Sequence, residues 1–257
     1  MLLGVKRSTF RMHDSDSEAA DKEYQTIRYD VFQRDEWTCR YCKMKTMPQD
    51  KHNYSGGFEI HHADDDHHNN DKDNLETTCP FCHAVFHCGN AGHRESGSII
   101  WAPFIRQEDL NIAVHVLFIN ISFGKKDNPR IVQAEKAQNH SLIKVSMEVS
   151  QRAREQYVLL QELADGAEKE LGSGMSNAAV LGEALATLAN DDPKAYEQRA
   201  AFLYGARFLP DYAYFEKAVD FWRYCSNRRQ DAGQDVITPE MMSMHWSQFK
   251  RTAGDRI

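Results

Sequence analysis

The sequence predicts an α+β protein that is mostly helical, with a small cysteine- and histidine-rich part packed on a helical C-terminal part. Two observations support this prediction. The first 105 residues combine two Cys-x-x-Cys pairs and clustered histidines with short runs of β-forming residues. From residue 106 onward, apolar residues recur at helical spacing, and proline-containing steps mark several helix starts.

The elements of the N-terminal part follow from local patterns. β-branched and aromatic residues favour strands, and a serine before a periodic apolar stripe is typical of a helix start. In order, the pattern predicts a strand over 2–12, a helix over 15–35 that begins at Ser15 or Ser17, a Cys-x-x-Cys knuckle over 37–45, a strand over 58–61, a helix from Pro80 that Gly89 and Gly92 end, and a strand over 98–102.

The rest of the chain predicts helices. The segment 108–122 is apolar nearly all round, which is typical of a buried helix. Proline at the first helical position, after an acceptor at the cap, predicts starts at Pro193 and Pro239. The further helices are expected over 130–145, 147–170, 177–189, 193–207, 211–226 and 239–252. We therefore expect two domains, 1–105 and 106–257.

Composition and charge exclude several classes of protein. The 257 residues are 41% hydrophobic, which is enough to build a core, and no stretch approaches the roughly 18 uncharged apolar residues of a membrane span. The opening MLL is followed at once by basic residues, so we expect no secretory leader and a cytoplasmic protein without membrane insertion. The formal net charge of −7, most of it before residue 106, argues against strong standalone binding to nucleic acid.

Four of the six cysteines form two pairs, Cys39/Cys42 and Cys79/Cys82. In a chain that is not exported, such pairs indicate metal ligation rather than disulfides. Two thiolate pairs make a closed tetrahedral site, so the sequence predicts one structural zinc ion with no open position for chemistry. We expect Cys88 and Cys225 to be structural.

A second set of ligand-type residues surrounds the second cysteine pair. A histidine pair ends a predicted strand, an asparagine follows in the loop, and two histidines one helical turn apart begin directly after Cys82. These residues are His61, His62, Asn74, His83 and His87. Their order and spacing resemble the HNH (ββα-metal) nucleases. The resemblance implies an HNH-like ββα-metal zinc domain over 1–105, packed on the C-terminal helical domain.

The HNH resemblance implies a role for each of these residues. His61, His83 and His87 match metal ligands, which implies a second divalent metal ion that is separate from the zinc. His62 matches the general base that activates water, and Asn74 matches the residue that braces the loop and orients that base. A three-imidazole site leaves a position for a phosphate oxygen, so this hypothesis is a metal-dependent endonuclease acting on DNA.

The same region also has plainer interpretations. His67 and His68 are expected to be exposed, and residues 64–66, three aspartates, are expected to form a solvated turn. Three adjacent carboxylates repel a phosphate backbone, which argues against DNA cleavage. His115 lies inside an apolar helix, where a core histidine with a hydrogen-bond partner is expected.

Longer stretches of the chain resemble a different group of proteins. They include YDVFQRDEWTCRYC, SIIWAPFIRQEDLNIAVHVLFINIS and FLPDYAYFEKAVDFW, and the similarity runs patchily from about residue 24 to 225. These segments look like the IcmJ family, also called DotN, which are small cytoplasmic zinc proteins of type IVB secretion systems. These systems are related to conjugation machinery. The sequence departs from the family in keeping the nuclease-type histidines, since the family commonly has other residues there.

The family resemblance implies a zinc-binding adaptor of the coupling complex. Its partners would be the C-terminal segment of the coupling ATPase and other secretion subunits, which would bring it to the inner-membrane face. The favoured hypothesis is therefore a non-catalytic adaptor. The alternatives are an HNH endonuclease and, more weakly, a protein that binds DNA without cleaving it.

Aromatic residues are unusually frequent near the C-terminal helices. We expect them to be core residues first, and some can line a groove for an amphipathic partner segment. They are Phe202, Tyr204, Phe208, Tyr212, Tyr214, Phe215, Phe221 and Trp222.

Overall fold

The α+β, mostly helical fold class is confirmed by the computed structural model, which describes residues 1–5, 27–46, 57–64 and 69–231, with side chains described up to residue 225. The strands are β1 (Glu59–His62), β2 (Leu75–Thr78), β3 (Gly97–Trp101) and β4 (Ala206–Pro210). The helices are α1 (27–34), α2 (Pro80–Phe86), α3 (Cys88–His93), α4 (Gln107–Phe123), α5 (Pro129–Lys136), α6 (His140–Glu162), α7 (Ala164–Leu171), α8 (Ala178–Asp191), α9 (Pro193–Glu197) and α10 (Tyr212–Asp231).

The elements β1, β2 and α2 form a strand–strand–helix unit. β1 and β2 pair antiparallel, with Glu59 opposite Thr78 and His62 opposite Leu75. A 3-10 turn precedes β2, and α2 follows it directly with Cys79 as its N-cap. The predicted strand over 58–61 and the predicted helix start at Pro80 are therefore confirmed.

A second antiparallel sheet joins distant parts of the sequence. β3 pairs with β4, with Gly97 opposite Pro210 and Trp101 opposite Ala206. The first residues of the chain lie against the α2–α3 junction, where the Gly4 N–H donates to the Val85 carbonyl at 3.0 Å. Elements from both sides of residue 105 thus share a sheet. The division into domains 1–105 and 106–257 stays a prediction, and a boundary there must leave this sheet intact.

The core is built around α4, which packs against α6 and α10. This helix is buried on nearly all sides, as its all-round apolar sequence predicts. Where α4 and α10 meet α2, the Phe81 ring lies 4.8 Å from that of Phe215 and 5.2 Å from that of Trp222. The core is therefore continuous from the cysteine-bearing helix α2 to the last described helix.

Several predicted elements are wrong. Gly89 and Gly92 do not end the helix that begins at Pro80, because α2 already ends at Phe86 and both glycines lie inside α3. The helix predicted over 193–207 stops at Glu197, and its last residues belong to β4, which supplies the hydrogen-bonding partner of β3. The single helices predicted over 130–145 and 147–170 are interrupted after Lys136 and after Glu162.

Some predictions fall outside the described residues. These are the helix over 239–252, most of the strand over 2–12, the first part of the helix over 15–35, and His67 and His68. Residues 1–5 carry no strand. Among the described helices, none has both the length and the apolar composition needed to cross a bilayer.

Candidate metal centres

The four paired cysteines meet in one buried cluster. Cys39 and Cys42 lie in the loop after α1, and Cys79 and Cys82 lie at the N-terminal end of α2. Their Sγ atoms all lie within 4.8 Å of one another, and those of Cys42 and Cys79 are 3.6 Å apart. All four are free thiols rather than disulfides. The arrangement matches the cluster that the sequence predicts.

The local backbone explains how the two pairs are held. In the knuckle, the Cys39 N–H donates to the Met44 carbonyl at 2.8 Å, and Lys43 adopts a left-handed conformation with φ of 62°. At the start of α2, the Cys82 N–H donates to Cys79 Sγ at 3.4 Å. A proline at the first position of α2 costs this helix nothing, because that N–H has no partner within a helix.

Two side chains of α4 contact the sulfur cluster. The Asn111 amide donates to Cys82 Sγ at 3.2 Å, and His115 Nε2 lies 3.3 Å from Cys79 Sγ. His115 is therefore a core histidine with a hydrogen-bond partner, as predicted. Burial lowers the pKa of His115 to about 3, against the opposing effect of the nearby Cys39 thiolate. The imidazole is thus neutral at physiological pH and can donate one N–H to sulfur.

The donor set fits a bound divalent metal. Burial raises the pKa of Cys79, and the hydrogen bond with Cys39 raises that of Cys42. Burial also opposes ionisation of Cys39, yet its pKa is lowered because the neighbouring thiols donate hydrogen bonds to its sulfur. Four neighbouring thiolates repel one another, so a bound cation is needed to hold all four ionised. The cluster can bind a metal such as zinc, which takes four thiolates tetrahedrally.

The histidines predicted as ligands form a second cluster. Ring nitrogens of His61, His83 and His87 lie within 4.8 Å of one another. The β1 strand supplies His61, and α2 supplies His83. His87 is the residue that caps the end of α2, four positions after His83. The His61 ring stacks on Phe86, with centroids 4.2 Å apart and planes 8° apart. Packing therefore fixes the orientation of the buried member of the cluster.

A carboxylate that sequence reasoning missed contacts this cluster. Glu59 Oε2 pairs with His83 Nδ1, and Glu59 lies two positions before His61 on β1. Alternate residues of a strand share a face, so Glu59 and His61 both project towards α2. Although burial raises the pKa of Glu59, the adjacent His83 imidazole lowers it below its ordinary value. The group is therefore a carboxylate at neutral pH.

The two residues predicted to do nuclease chemistry, His62 and Asn74, lie at the end of β1 and directly before β2. His62 is only 4% exposed, and its Nε2 lies 3.2 Å from Asn70 Oδ1. Asn74 Nδ2 donates to Asp64 Oδ1 at 2.8 Å and to the Asn69 carbonyl at 2.9 Å. Asn74 thus joins the two described ends of the loop. Whether this bracing positions a catalytic base stays a prediction.

The sequence did not identify two contact residues, Asn111 and Glu59, or the sulfur-bonding role of His115. A signal for the α4 pair was present, since Asn111 and His115 stand four residues apart in a largely apolar helix and so share one face. A buried polar residue in such a helix needs a partner. The sequence could not identify that partner as a cysteine sulfur, because the packing of α4 on α2 is a tertiary contact.

The aromatic residues near the C-terminal helices divide between core and surface. Phe208, Phe215 and Trp222 are buried, as expected for core residues. Others face solvent, such as Tyr204, which is 59% exposed, and Tyr214, which is 45% exposed. The described part of the chain therefore uses its largest aromatic side chains to pack α10 and β4.

Comparison with known proteins bears on the family predicted from sequence motifs. No family model matches the chain. It is 28% identical over 207 residues to the type 4 apparatus protein DotN of Legionella pneumophila subsp. pneumophila (strain Philadelphia 1), and the alignment covers 79% of this chain and 80% of DotN. The predicted resemblance to the IcmJ/DotN family is thereby confirmed, and the chain is a homologue of the type IV secretion apparatus protein DotN.

Proposed function

We propose that this chain is a zinc-binding adaptor subunit of a type IVB secretion or conjugative coupling complex. In this role it docks onto the C-terminal segment of the coupling ATPase, together with other secretion subunits, on the cytoplasmic side of the inner membrane. The observation that carries the proposal is the alignment with a type 4 apparatus protein over about four-fifths of both chains. An alignment of that extent includes the helical half, not only the metal-binding part.

The four-cysteine cluster supports a structural role for zinc in this adaptor. Its four sulfurs are buried and close together, so a bound ion would have four protein ligands, and α4 contacts two of these sulfurs, those of Cys79 and Cys82. An ion of that kind holds the knuckle, α2 and α4 together and supplies no reactive position. The ion would therefore fix the shape that partners recognise.

The exposed side of α6 supports docking. Leu142 is 40% exposed and Val145 is 52% exposed, one helical turn apart near the start of the helix, and Leu159 is 40% exposed further along. Clustered exposed apolar residues are typical of protein-interaction surfaces. An amphipathic segment of the ATPase can bury this stripe by the helix-in-groove mode.

The test is a binding titration between the purified full-length chain and the C-terminal segment of the cognate coupling ATPase. We expect a saturable complex, and we expect the double variant Leu142→Glu/Val145→Glu to weaken it by at least about tenfold, which is about 1.4 kcal/mol. Lys144→Glu adds a negative charge in the same turn but on another side of α6, and it should leave binding unchanged. No complex with wild type would refute the adaptor role, and equal weakening by the control would refute the α6 surface.

A second candidate function, a metal-dependent HNH endonuclease, is favoured by one observation, the gathering of His61, His83 and His87 around a common point. A metal held there can stabilise charge on a phosphate and its leaving group, while His62 removes a proton from water. The His83 side chain is 26% exposed, so solvent reaches one edge of the cluster.

Cleavage of supercoiled plasmid DNA tests this second candidate. The purified chain would be assayed with added Mg²⁺, Mn²⁺, Ni²⁺ or Zn²⁺, beside His62→Ala and the surface control His93→Ala. The endonuclease hypothesis requires nicking that His62→Ala abolishes and His93→Ala retains. Absence of nicking with every metal removes it and leaves the adaptor proposal untouched.

A further inference from the structure

We propose that Glu59 is the positioning residue of the histidine cluster, orienting His83 so that it can bind a divalent metal ion together with His61 and His87. This inference rests on the metal site proposed above for these three histidines. It assigns a fourth residue to that site, one that acts through His83 and not as a ligand.

Glu59 lies on the same side of β1 as the histidine cluster. Glu59 and His61 are two residues apart, and so on one face of the strand, which His83 of α2 and its C-cap residue His87 approach. The grouped atoms that could hold an ion come from the three imidazoles, whereas Glu59 contacts the group at His83 Nδ1. The carboxylate is therefore placed to act on a ligand.

The contact with Glu59 determines which nitrogen of the His83 ring carries the proton. A carboxylate at Nδ1 accepts that nitrogen's proton, so the Nδ1–H tautomer is favoured and Nε2 keeps its lone pair. Metal-binding histidines commonly donate their second N–H to a carboxylate in this way. The partner fixes the ring orientation and makes the ligand more basic.

The competing explanation is that Glu59 and His83 form an ordinary surface ion pair. The partial exposure of both side chains makes this explanation worth testing. The Glu59 side chain is 44% exposed and that of His83 is 26% exposed, and exposed pairs contribute little to stability. A pair that serves stability alone would leave metal affinity unchanged when it is removed. A positioning pair would change the affinity of the histidine cluster and spare the four-cysteine site of the same molecule.

The experiment titrates Co²⁺ into the full-length chain with zinc already bound at the cysteines, followed by calorimetry and visible absorption. Wild type should bind a second ion, and Glu59→Gln should weaken that binding by about tenfold and Glu59→Ala by up to about a hundredfold. Glu76→Gln is the matched control, because Glu76 stands opposite His61 on β2 and bonds Tyr41 Oη at 2.5 Å instead of an imidazole. It should bind the second ion as wild type does.

Nitrogen NMR of the metal-free histidine cluster tests whether the Glu59 carboxylate sets the tautomer of His83. His83 should be the Nδ1–H tautomer in wild type and in Glu59→Gln, whose amide oxygen still accepts, and a mixture in Glu59→Ala. Zinc content at the cysteines verifies that each variant is folded. Unchanged Co²⁺ affinity in both Glu59 variants would overturn the role of Glu59, whereas a wild type without a second ion would overturn the histidine metal site itself.

Discussion

Asn111 illustrates how one buried amide can connect a metal centre to the rest of a core. Its Nδ2 donates to Cys82 Sγ at 3.2 Å, and its Oδ1 accepts from Gln107 Nε2 at 2.8 Å. The residue is fully buried, so removing the amide leaves both partners without water to replace it. Removing the Asn111 amide should therefore change both the stability of the protein and its retention of the cysteine-bound metal.

We expect Asn111→Leu to lower the free energy of unfolding by about 1–3 kcal/mol, because a buried acceptor and a buried donor each lose their partner. The same variant should lose its cysteine-bound metal faster to a competing chelator, since hydrogen bonds to ligand atoms strengthen metal binding. Denaturant unfolding and a chelator-competition time course measure the two effects. Asn120→Leu, on the same helix at a half-buried position, is the control and should retain metal at the wild-type rate.

Whether the role of a single residue can be predicted from the sequence depends on the type of interaction that the residue makes. Cys39, Cys42, Cys79 and Cys82 could be assigned to one cluster because their spacing fixes the ligand geometry. The set His61, His83 and His87 was implied by the resemblance to the HNH nucleases, and the structure brings the three residues together. Glu59, Asn111 and Gln107 could not be assigned to their roles, because hydrogen bonds between distant segments leave no periodic pattern.

At the scale of elements, glycines mark the place where α3 and α8 approach most closely. A Cβ on Gly182 would lie 2.2 Å from the Gly89 Cα, and one on Gly92 would lie 1.9 Å from the Ala179 nitrogen. Gly89 and Gly92 were predicted to end a helix, because glycines often lie at helix C-termini. Here they serve packing, which can be recognised only once the partner helix is known.

Gly182→Ala should therefore destabilise the protein, by about 1–3 kcal/mol, through overpacking against α3. Helix propensity alone predicts the opposite, a gain of about 1 kcal/mol on replacing a helical glycine by alanine. The sign of the change in thermal or denaturant unfolding thus separates the two effects. Ala184→Gly on the exposed side of α8 should cost about 1 kcal/mol from propensity alone, and a stabilising Gly182→Ala would show that α8 shifts freely on α3.

β4 is a second case in which local sequence patterns do not predict the observed structure. The helix predicted over 193–207 includes Ala206 and Arg207, the first two residues of β4, yet this strand pairs with β3 more than a hundred residues earlier. Periodicity over so few residues does not separate helix from strand. The deciding factor is the need of β3 for a hydrogen-bonding partner, which lies outside the local sequence.

At the scale of the whole molecule, a chain of buried hydrogen bonds links the sulfur cluster to the β3–β4 sheet. Asn111 bonds Cys82, Gln107 bonds Asn111, and the Gln107 amide both donates to the Phe208 carbonyl at 2.9 Å and accepts from the Phe208 N–H at 2.8 Å. α4 thus connects the metal-binding part with a strand from the C-terminal half. A metal at the cysteines should stabilise both.

Removal of the cysteine-bound metal should therefore expose β3 and β4 as well as the knuckle. Without the cation, the four thiolates repel one another or take up protons, so Asn111 and His115 lose their charged acceptors and α4 loses its anchor. Hydrogen exchange before and after chelation measures this at each segment, and faster exchange is expected at the backbone amides of Ile99, Ile100 and Phe208. Gln107→Leu in the metal-bound protein should raise exchange at Phe208 while the metal stays bound, because it cuts the link between Asn111 and β4. If chelation instead loosened only residues before 105 and left both strands protected, the two predicted domains would be energetically independent despite the sheet they share.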